Sequence, residues 1–310
     1  MSVSLRCYST RPGCPKNRVD TERLLGSLGV ALVPVESPDE AELVFINTCA
    51  FIQPATEESV RTIAQAIADI EELPKRPLLA VAGCLVGRYH AEDLAPELPE
   101  VDLWLDNSDL EAWPAMLARK LGLPEPTVPG RILSTGPSYA WLKISDGCRH
   151  ACSFCAIPNI RGGHRSHCKD MIVREARALL DQGVKELNLV AQDLTEWGCD
   201  LDGKQDLRTL LDGLLPLQGL ERLRLMYLYP AGMTHEMLKY LREAGKPFVP
   251  YFDVPVQHSH PDVLSRMGRP FARNPREAID RIRNVFPEAA LRTSIMVGFP
   301  GETEEHFEHL

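Results

Sequence analysis

The sequence predicts an α/β protein in which an N-terminal open parallel α/β sheet domain is followed by a partial (β/α) barrel, truncated at the C-terminus. Short apolar runs, typical of buried strands, alternate with segments of helical periodicity in both halves. A Pro- and Gly-rich stretch at residues 123–138 predicts a linker between the halves. The length of 310 residues suits about two domains. We therefore expect domains at residues 1–122 and 139–310.

The first half alternates short apolar strands with helices whose apolar residues recur at helical spacing. Its predicted strands are Val3–Tyr8, Val30–Val35, Ala41–Asn47, Leu78–Gly83 and Val101–Leu105. Its predicted helices are Asn17–Leu28, Pro54–Leu73 and Asp109–Leu121. This alternation favours an open, largely parallel sheet.

The second half repeats the β-then-α pattern. Its predicted strands are Ala140–Ser145, Glu186–Ala191, Leu223–Tyr227, Phe248–Val254 and Ala290–Val297. Its predicted helices are Met171–Gln182, Leu207–Leu215, His235–Ala244, Pro261–Met267 and Pro275–Val285. Repeated βα units of this size predict a barrel or part of one, with the active site at the carboxyl ends of the strands. The last residues, 302–310, predict the first turns of a further helix, and we expect the chain to be a fragment of a longer protein.

Composition favours a protein of the reducing cytosol. Hydrophobic residues make up 44% and charged residues 25% of the chain, as in ordinary globular proteins. No apolar run reaches the ~20 residues of a membrane span, and the N-terminus lacks the apolar segment of a signal peptide. Nine cysteines at irregular spacing favour metal ligation over disulfides. We expect a cytoplasmic location without membrane association.

The net charge is −9, with an isoelectric point of about 5.5. Binding nucleic acid requires a positive surface, so this charge argues against it, whereas a basic protein substrate suits it. The acidic stretches Glu36–Glu42 and Glu302–Glu308 are interpreted as solvated faces and helix starts.

Cys148, Cys152 and Cys155 form a Cys-x3-Cys-x2-Cys triplet after the strand that begins the second half. A four-iron cluster normally takes four thiolates, so three leave one iron open for chemistry. Two alternatives stay open. The thiols are unrelated and buried, or they bind structural zinc with a fourth ligand, for which His150, His164 or Cys168 are available.

A second set, Cys14, Cys49 and Cys84, is spread over the first half. Cys49 and Cys84 lie just past the ends of predicted strands, and Cys14 lies between the first predicted strand and the helix that follows it. Carboxyl ends of parallel strands lie at one edge of a sheet, where these thiols can converge on a second metal site. Gly13 and Gly83 allow the backbone to approach a bulky group. The alternative is three packed cysteines in loops. The remaining cysteines, Cys7, Cys168 and Cys199, show no ligand spacing.

The triplet, with Phe154 before its last cysteine, resembles the radical S-adenosylmethionine (SAM) enzymes. In that family the open iron binds SAM, and an electron from the cluster cleaves SAM to a 5′-deoxyadenosyl radical. Both cysteine sets together resemble the methylthiotransferase family over essentially the whole chain. The resemblance implies an auxiliary-cluster domain, a radical SAM domain that is incomplete here, and a C-terminal RNA-binding-type barrel that this chain lacks.

The family has two branches. One methylthiolates an adenosine in tRNA, and the other methylthiolates the β-carbon of an aspartate in protein twelve of the small ribosomal subunit. Four segments resemble the second branch: Gly13–Asp20, Val190–Asp193, Tyr227–Pro230 and Asp253–His258. Small departures occur at Ser9–Gly13, Thr21 and His167, and none removes a cysteine.

The resemblance implies two 4Fe-4S clusters and SAM as cofactors, with Cys148, Cys152 and Cys155 at the catalytic cluster and Cys14, Cys49 and Cys84 at the auxiliary one. It implies a ribosomal-protein substrate and an electron donor such as flavodoxin or ferredoxin. Further candidate cofactor contacts are Phe154, Arg161, Arg165, Gln192, Gln257, His258, Gly298 and Glu302. Asp193 either recognises substrate or caps the next helix.

Two other functions remain open at this point. One is tRNA methylthiolation by the same chemistry. The other is a non-catalytic iron–sulfur or zinc scaffold that binds ribosomes, for which we expect no SAM turnover.

Overall fold

The computed structural model describes residues 4–10, 13–269 and 274–310. The chain divides into two compact units, one of residues 1–134 with Asn159–Gly162 and one of residues 135–158 with 163–310. Both units are α/β, as the sequence predicts. The functional domains and their linker stay predictions.

The first unit contains a five-stranded sheet in the order β2-β1-β3-β4-β5, with all neighbours parallel. The strands are β1 (Ser4–Thr10), β2 (Ala31–Pro34), β3 (Leu43–Thr48), β4 (Leu78–Gly83) and β5 (Leu103–Leu105). The helices are α1 (Pro15–Ser27), α2 (Gln53–Glu71), α3 (Cys84–Tyr89), α4 (Ala91–Leu94) and α5 (Trp113–Leu121).

The central strand β3 explains why helices cover both faces of this sheet. Successive strand side chains point to opposite faces, and the apolar side chains of β3 are buried on both. Leu43 and Phe45 belong to a core cluster that includes Trp113 of α5. The chain after α5 remains part of this unit as far as Ser134. Within this segment, Arg131 pairs with Glu22 of α1 at 2.7 Å.

Most predicted elements of the first half are present within a few residues of their predicted ends. β4 has its predicted bounds, whereas the short helices α3 and α4 were not predicted. Six and four residues are too few to show helical periodicity. Val3, at the start of the first predicted strand, lies outside the described residues.

The second unit contains five parallel strands in the order β6-β9-β10-β11-β12, with neighbours following the chain order of their βα units, as in part of a (β/α) barrel. These strands are β6 (Tyr139–Lys143), β9 (Glu186–Val190), β10 (Arg222–Leu225), β11 (Phe248–Asp253) and β12 (Ala290–Arg292), and an antiparallel pair is formed by β7 (Ser145–Asp146) and β8 (Arg165–Ser166). The helices are α6 (Ile157–Arg161, ending in the first unit), α7 (Lys169–Asp181), α8 (Leu207–Leu214), α9 (His235–Ala244), α10 (Pro261–Arg266), α11 (Pro275–Val285) and α12 (Glu304–His309).

The predicted strand Ala290–Val297 is too long. β12 ends at Arg292, because the next bond of the ladder is replaced by one from the Val256 N–H to the Thr293 hydroxyl at 3.1 Å. Ile295 then pairs only as an isolated bridge with Gln257 and is 49% exposed. In the described residues, no helix combines the length and the apolar character needed to cross a membrane.

Candidate functional site

The cysteine triplet lies in a tight loop directly after β7. Gly147 turns the chain with a φ of 67°, a conformation that favours glycine. The His150 N–H donates to Cys148 Sγ at 3.4 Å, and the Cys155 N–H donates to the Cys152 carbonyl at 3.0 Å. The three thiols are half-buried. The loop therefore presents three sulfur atoms on a backbone held by its own turns.

The triplet loop is seated on the end of α10. The Ser153 N–H donates to the Met267 carbonyl at 3.0 Å. A Cβ at Gly268 would lie 2.6 Å from the Ala151 carbonyl oxygen, so only glycine permits this approach. Phe154 packs against the apolar cluster of α10, which includes Met267. Phe154 thus fixes the loop, and its contact with a cofactor stays a prediction.

Polar and aromatic side chains form a contact network beside the triplet. His150 Nε2 lies 2.7 Å from Asp193 Oδ2, and the His150 ring stacks on Tyr229 with centroids 4.2 Å apart. The guanidinium of Arg269 lies over the same Tyr229 ring at 4.5 Å, and its Nη1 lies 3.9 Å from Cys152 Sγ. This network connects the cysteine loop with residues that follow β9 and β10.

Burial raises the pKa of the Cys148 thiol to about 11, although the His150 N–H opposes the shift. Burial also raises the pKa of Cys155. These thiols therefore stay protonated at neutral pH until a metal competes for the sulfur, because metal binding requires the thiolate.

Gln192 follows the carboxyl end of β9 and Gln257 follows that of β11, at strand ends as predicted, with β10 between the two strands in the sheet. Both amide atoms of Gln192 are buried and lack a hydrogen-bond partner in the described chain. Gln257 has a φ of 71°, which is rare for a residue other than glycine. Unsatisfied buried amides are costly, so Gln192 is suited to a polar ligand.

The other predicted contacts of this unit differ in how they are engaged. The His260 N–H donates to His258 Nδ1, which leaves the hydrogen on Nε2 facing Glu302 at 3.4 Å. The Phe299 N–H donates to Glu302 at 2.9 Å and lowers the pKa of that carboxyl. Gly298 has open space around it, and Arg165 is exposed on β8. Glu302 thus closes its own turn, and cofactor binding by these residues stays a prediction.

The second cysteine set converges at the carboxyl edge of the first sheet. Cys14 Sγ and Cys84 Sγ lie 3.7 Å and 3.8 Å from the same oxygen, Asn17 Oδ1. Cys49 shares a hydrogen bond with Cys84. The three thiols therefore come together although the sequence separates neighbours by 35 residues.

Backbone geometry places Cys84 in this cluster. Gly83 has a φ of 99°, and a Cβ there would lie 2.5 Å from the Thr48 carbonyl oxygen. Cys84 follows as the first residue of α3, while Cys14 precedes α1 and Cys49 follows β3. Gly83, predicted from the sequence as a close-approach position, packs against the protein's own backbone.

Arg161 lies at the second cysteine set, within the first unit. Its Nη2 donates to Asn17 Oδ1 at 2.6 Å and lies 3.1 Å from Asp20 Oδ2. The hydrogen bond with Cys49 lowers the pKa of Cys84 to about 6 against the effect of burial, and Arg161 adds to the shift. The same shared bond raises the pKa of Cys49. The contact of Arg161 with SAM, expected from the sequence, stays a prediction, whereas its contacts here are with this thiol cluster.

Both cysteine sets fit an iron–sulfur cluster better than one small ion. Each offers three thiolates, the preferred ligands of such clusters. A single small ion needs ligand atoms close to one another. In the described residues, neither cysteine set has all its sulfur atoms within 4.8 Å of one another. Two proposed zinc ligands are engaged elsewhere, His150 with Asp193 and His164 with Ser166. The unpartnered amide of Gln192 lies just beyond the carboxyl end of β9, where it is available to a polar ligand, and its contact with SAM stays a prediction.

The parallel sheet and the cysteine triplet define a radical SAM protein, and the model of the Radical SAM superfamily matches residues 142–310. A second model, described as uncharacterized protein family UPF0004, matches residues 6–106. The chain belongs to the family of ribosomal protein uS12 methylthiotransferases, enzymes of the radical SAM class with SAM and 4Fe-4S clusters as cofactors.

Three similar proteins carry the name ribosomal protein uS12 methylthiotransferase RimO. The protein of Nitratidesulfovibrio vulgaris strain DP4 is 68% identical over 303 residues, 98% of this chain and 70% of the relative. The protein of Lawsonia intracellularis is 61% identical over 310 residues, 100% of this chain and 70% of the relative. The protein of Aquifex aeolicus is 45% identical over 302 residues, 96% of this chain and 67% of the relative.

Solved structures with a similar fold are also radical SAM enzymes. The methyltransferase TsrM of Kitasatospora setae, with cobalamin and a 4Fe-4S cluster bound, superposes with a TM-score of 0.68 at 15% identity. The match covers 98% of this chain and 71% of that one. The cobalamin-dependent radical enzyme OxsB gives 0.62 at 14% identity, covering 99% and 52%. At these identities the likeness concerns the fold alone.

The sequence did not single out several residues around the two cysteine sets. Asn17 had one signal, its place one helical turn after Cys14. Tyr229 lies in the segment Tyr227–Pro230 that resembles the methylthiotransferase family, but no role was predicted for it. Arg269 had no signal, because it reaches the triplet from a distant part of the chain. His150 was considered only as a zinc ligand.

Proposed function

We propose that the protein transfers a methylthio group to the β-carbon of an aspartate in ribosomal protein uS12. The observation that supports this most is the pairing of two separately built cysteine clusters, one in each unit. One cluster with an open iron is enough to form a radical from SAM. A second cluster with an open iron is suited to hold the sulfur atom that is transferred to the substrate.

The substrate carbon explains the need for radical chemistry. Its hydrogen is not acidic enough for any side chain to remove as a proton at neutral pH. When bound, SAM and the cluster at Cys148, Cys152 and Cys155 supply an organic radical that removes it as a hydrogen atom. The protein holds this group on a fixed loop, and the buried amide of Gln192 orients SAM. Gln257 is the second polar contact we assign to SAM.

The second set, Cys14, Cys49 and Cys84, holds the auxiliary cluster that offers sulfur. Three thiolates again leave one iron without a protein ligand. Asn17 fixes the positions of two of these sulfur atoms through one carbonyl oxygen. Radical formation consumes an electron, so we infer an electron donor such as flavodoxin or ferredoxin in the cytoplasm.

The assignment of substrate rests on relatives and charge. The similar proteins are named as methylthiotransferases of uS12. The net charge of −9 favours a basic ribosomal protein over the polyanion tRNA.

The test is methylthiolation by the reconstituted protein under anaerobic conditions with SAM and a reductant. We expect the uS12 protein to gain one methylthio group in place of one hydrogen on its aspartate, measured by mass spectrometry of the peptides. Cys152→Ala abolishes the product, whereas Cys168→Ala, at an exposed cysteine outside both sets, leaves it unchanged. A product on a tRNA anticodon stem-loop and none on uS12 would overturn the substrate, and absence of SAM cleavage would overturn the chemistry.

A further inference from the structure

Arg161 is a fully buried cation beside the second cysteine set. Its side chain is 2% exposed, as is that of Asp20, its ion-pair partner at 3.1 Å. Burying a guanidinium removes its hydration, which ion pairs and hydrogen bonds within the protein must replace. Asp20 supplies the ion pair, and the remaining contacts of Arg161 are with the surroundings of the thiols.

The guanidinium is connected to the thiols by two routes. It donates to Asn17 Oδ1 at 2.6 Å, the oxygen that also lies near Cys14 Sγ and Cys84 Sγ. It also forms a direct hydrogen bond with Cys84. The positive group therefore lies next to the oxygen that both sulfur atoms approach.

The backbone around Arg161 is fixed as firmly as its side chain. Residues 159–162 lie against α3, the helix that begins at Cys84. A Cβ at Gly87 of this helix would overlap the Ile160 carbonyl oxygen, so only glycine permits the contact. The Asn17 amide is held from its other end by donation to the Thr48 carbonyl at 2.6 Å. Arg161 and Asn17 are thus preorganised before any cluster binds.

A bound cluster would hold Cys14 and Cys84 as thiolates, without the protons that their thiols direct toward Asn17 Oδ1. As thiols, Cys14 and Cys84 donate toward its oxygen, but thiolates place negative charge beside that oxygen. Arg161 supplies the compensating positive charge to both the oxygen and the sulfur. Charges and hydrogen bonds next to the sulfur atoms set the stability and potential of an iron–sulfur cluster.

We propose that Arg161 is a positioning residue of the auxiliary cluster, which keeps Asn17 oriented toward Cys14 and Cys84 and stabilises the cluster's negative charge. This inference rests on the proposed use of Cys14, Cys49 and Cys84 as cluster ligands. It assigns Arg161 to the sulfur-delivering site, a role that differs from binding SAM.

The test uses a protein in which Cys148, Cys152 and Cys155 are all replaced by alanine, so that only the second set binds a cluster. Iron and sulfide per chain and the midpoint potential, from a redox titration followed by electron paramagnetic resonance, are measured in this background. We expect Arg161→Gln to lower the cluster content and to make the potential of the remaining cluster more negative, because the reduced state loses a compensating charge. Arg161→Lys, which keeps the charge, restores the content and the potential toward the parent values.

The matched control is Arg76→Gln, at the amino-terminal side of β4 and paired with Asp102. It leaves cluster content and potential unchanged. An Arg161→Gln protein with full content and an unshifted potential overturns the proposal. If the Arg161→Gln protein binds no cluster, the Arg161→Lys protein is the deciding variant. Failure of Arg161→Lys to restore cluster binding also overturns the proposal. A parent background that binds no iron contradicts the proposed function itself, and the inference falls with it.

Discussion

His150 Nε2 lies 2.7 Å from Asp193 Oδ2, and this contact ties the cysteine loop after β7 to the carboxyl end of β9. The other carboxylate oxygen of Asp193 accepts the Thr195 N–H at 2.8 Å and so caps the following 3₁₀ turn. One buried carboxylate therefore fixes both the loop that presents the thiols and the turn that follows Gln192. Of the two roles considered for Asp193 from the sequence, the capping role is confirmed.

Asp193→Ala tests this double anchor. Loss of a cap costs about 1 kcal/mol, and loss of a hydrogen bond to a charged group about 1.5–3 kcal/mol, so we expect the free energy of unfolding to fall by about 2–4 kcal/mol. Urea unfolding of the metal-free protein measures it. Asp193→Asn keeps an acceptor for the cap and should lose about half as much. An equal fall in the free energy of unfolding for both variants would contradict separate contributions from the cap and from the contact with His150.

Gln192→Leu separates a ligand contact from a structural one. The amide has no partner in the described residues, so an apolar side chain of similar size should leave the stability of the free protein unchanged or raise it by about 1–3 kcal/mol. The same change should weaken SAM binding about tenfold, since one hydrogen-bonded contact is lost. Denaturation without SAM and equilibrium binding with SAM give the two values. A destabilised protein with unchanged SAM affinity would assign Gln192 to the fold instead.

Lys143→Met probes a buried ion pair below the triplet loop. Lys143 is 1% exposed and lies 2.8 Å from Asp146, which also lies 3.1 Å from His167. Removing one partner leaves a buried charge, which costs about 3–5 kcal/mol in the free energy of unfolding. The control Arg222→Met removes an arginine that is 62% exposed and 3.9 Å from Glu186, which keeps its closer contact with Arg224, so it should cost at most about 1 kcal/mol. Similar losses in urea unfolding would show that the buried carboxylate is neutralised in another way.

The sequence predicts this fold well where the pattern is local. β4, α9 and α11 have their predicted bounds. The ends of a buried apolar run, or of an amphipathic helix with a capping residue, can be recognised from the local sequence. The strand from Ala140 was predicted to continue to Ser145, but the ladder with β9 ends at Lys143 and the chain turns to pair with β8. That turn depends on pairing with Arg165 and Ser166, which lie beyond the cysteine loop and which periodicity does not reveal.

The candidate site divides in the same way. The cysteine sets were predicted, because three thiolates at close spacing, or at the ends of successive parallel strands, have few structural uses. Their surroundings were not. Arg161 meets Asn17 across 144 residues, and Arg269 meets Cys152 across 117 residues. Such pairs are fixed by the packing of the fold and leave no periodic signal in the chain.

The two cysteine sets are expected to perform different steps, and replacing Cys14, Cys49 and Cys84 by alanine separates these steps. The variant is reconstituted with iron and sulfide and given SAM, reductant and uS12, and both 5′-deoxyadenosine and methylthiolated uS12 are quantified by mass spectrometry. We expect that 5′-deoxyadenosine is still released while the methylthio product disappears. Methylthiolated uS12 from this variant, or loss of SAM cleavage together with the product in a folded protein that retains the first cluster, would contradict it.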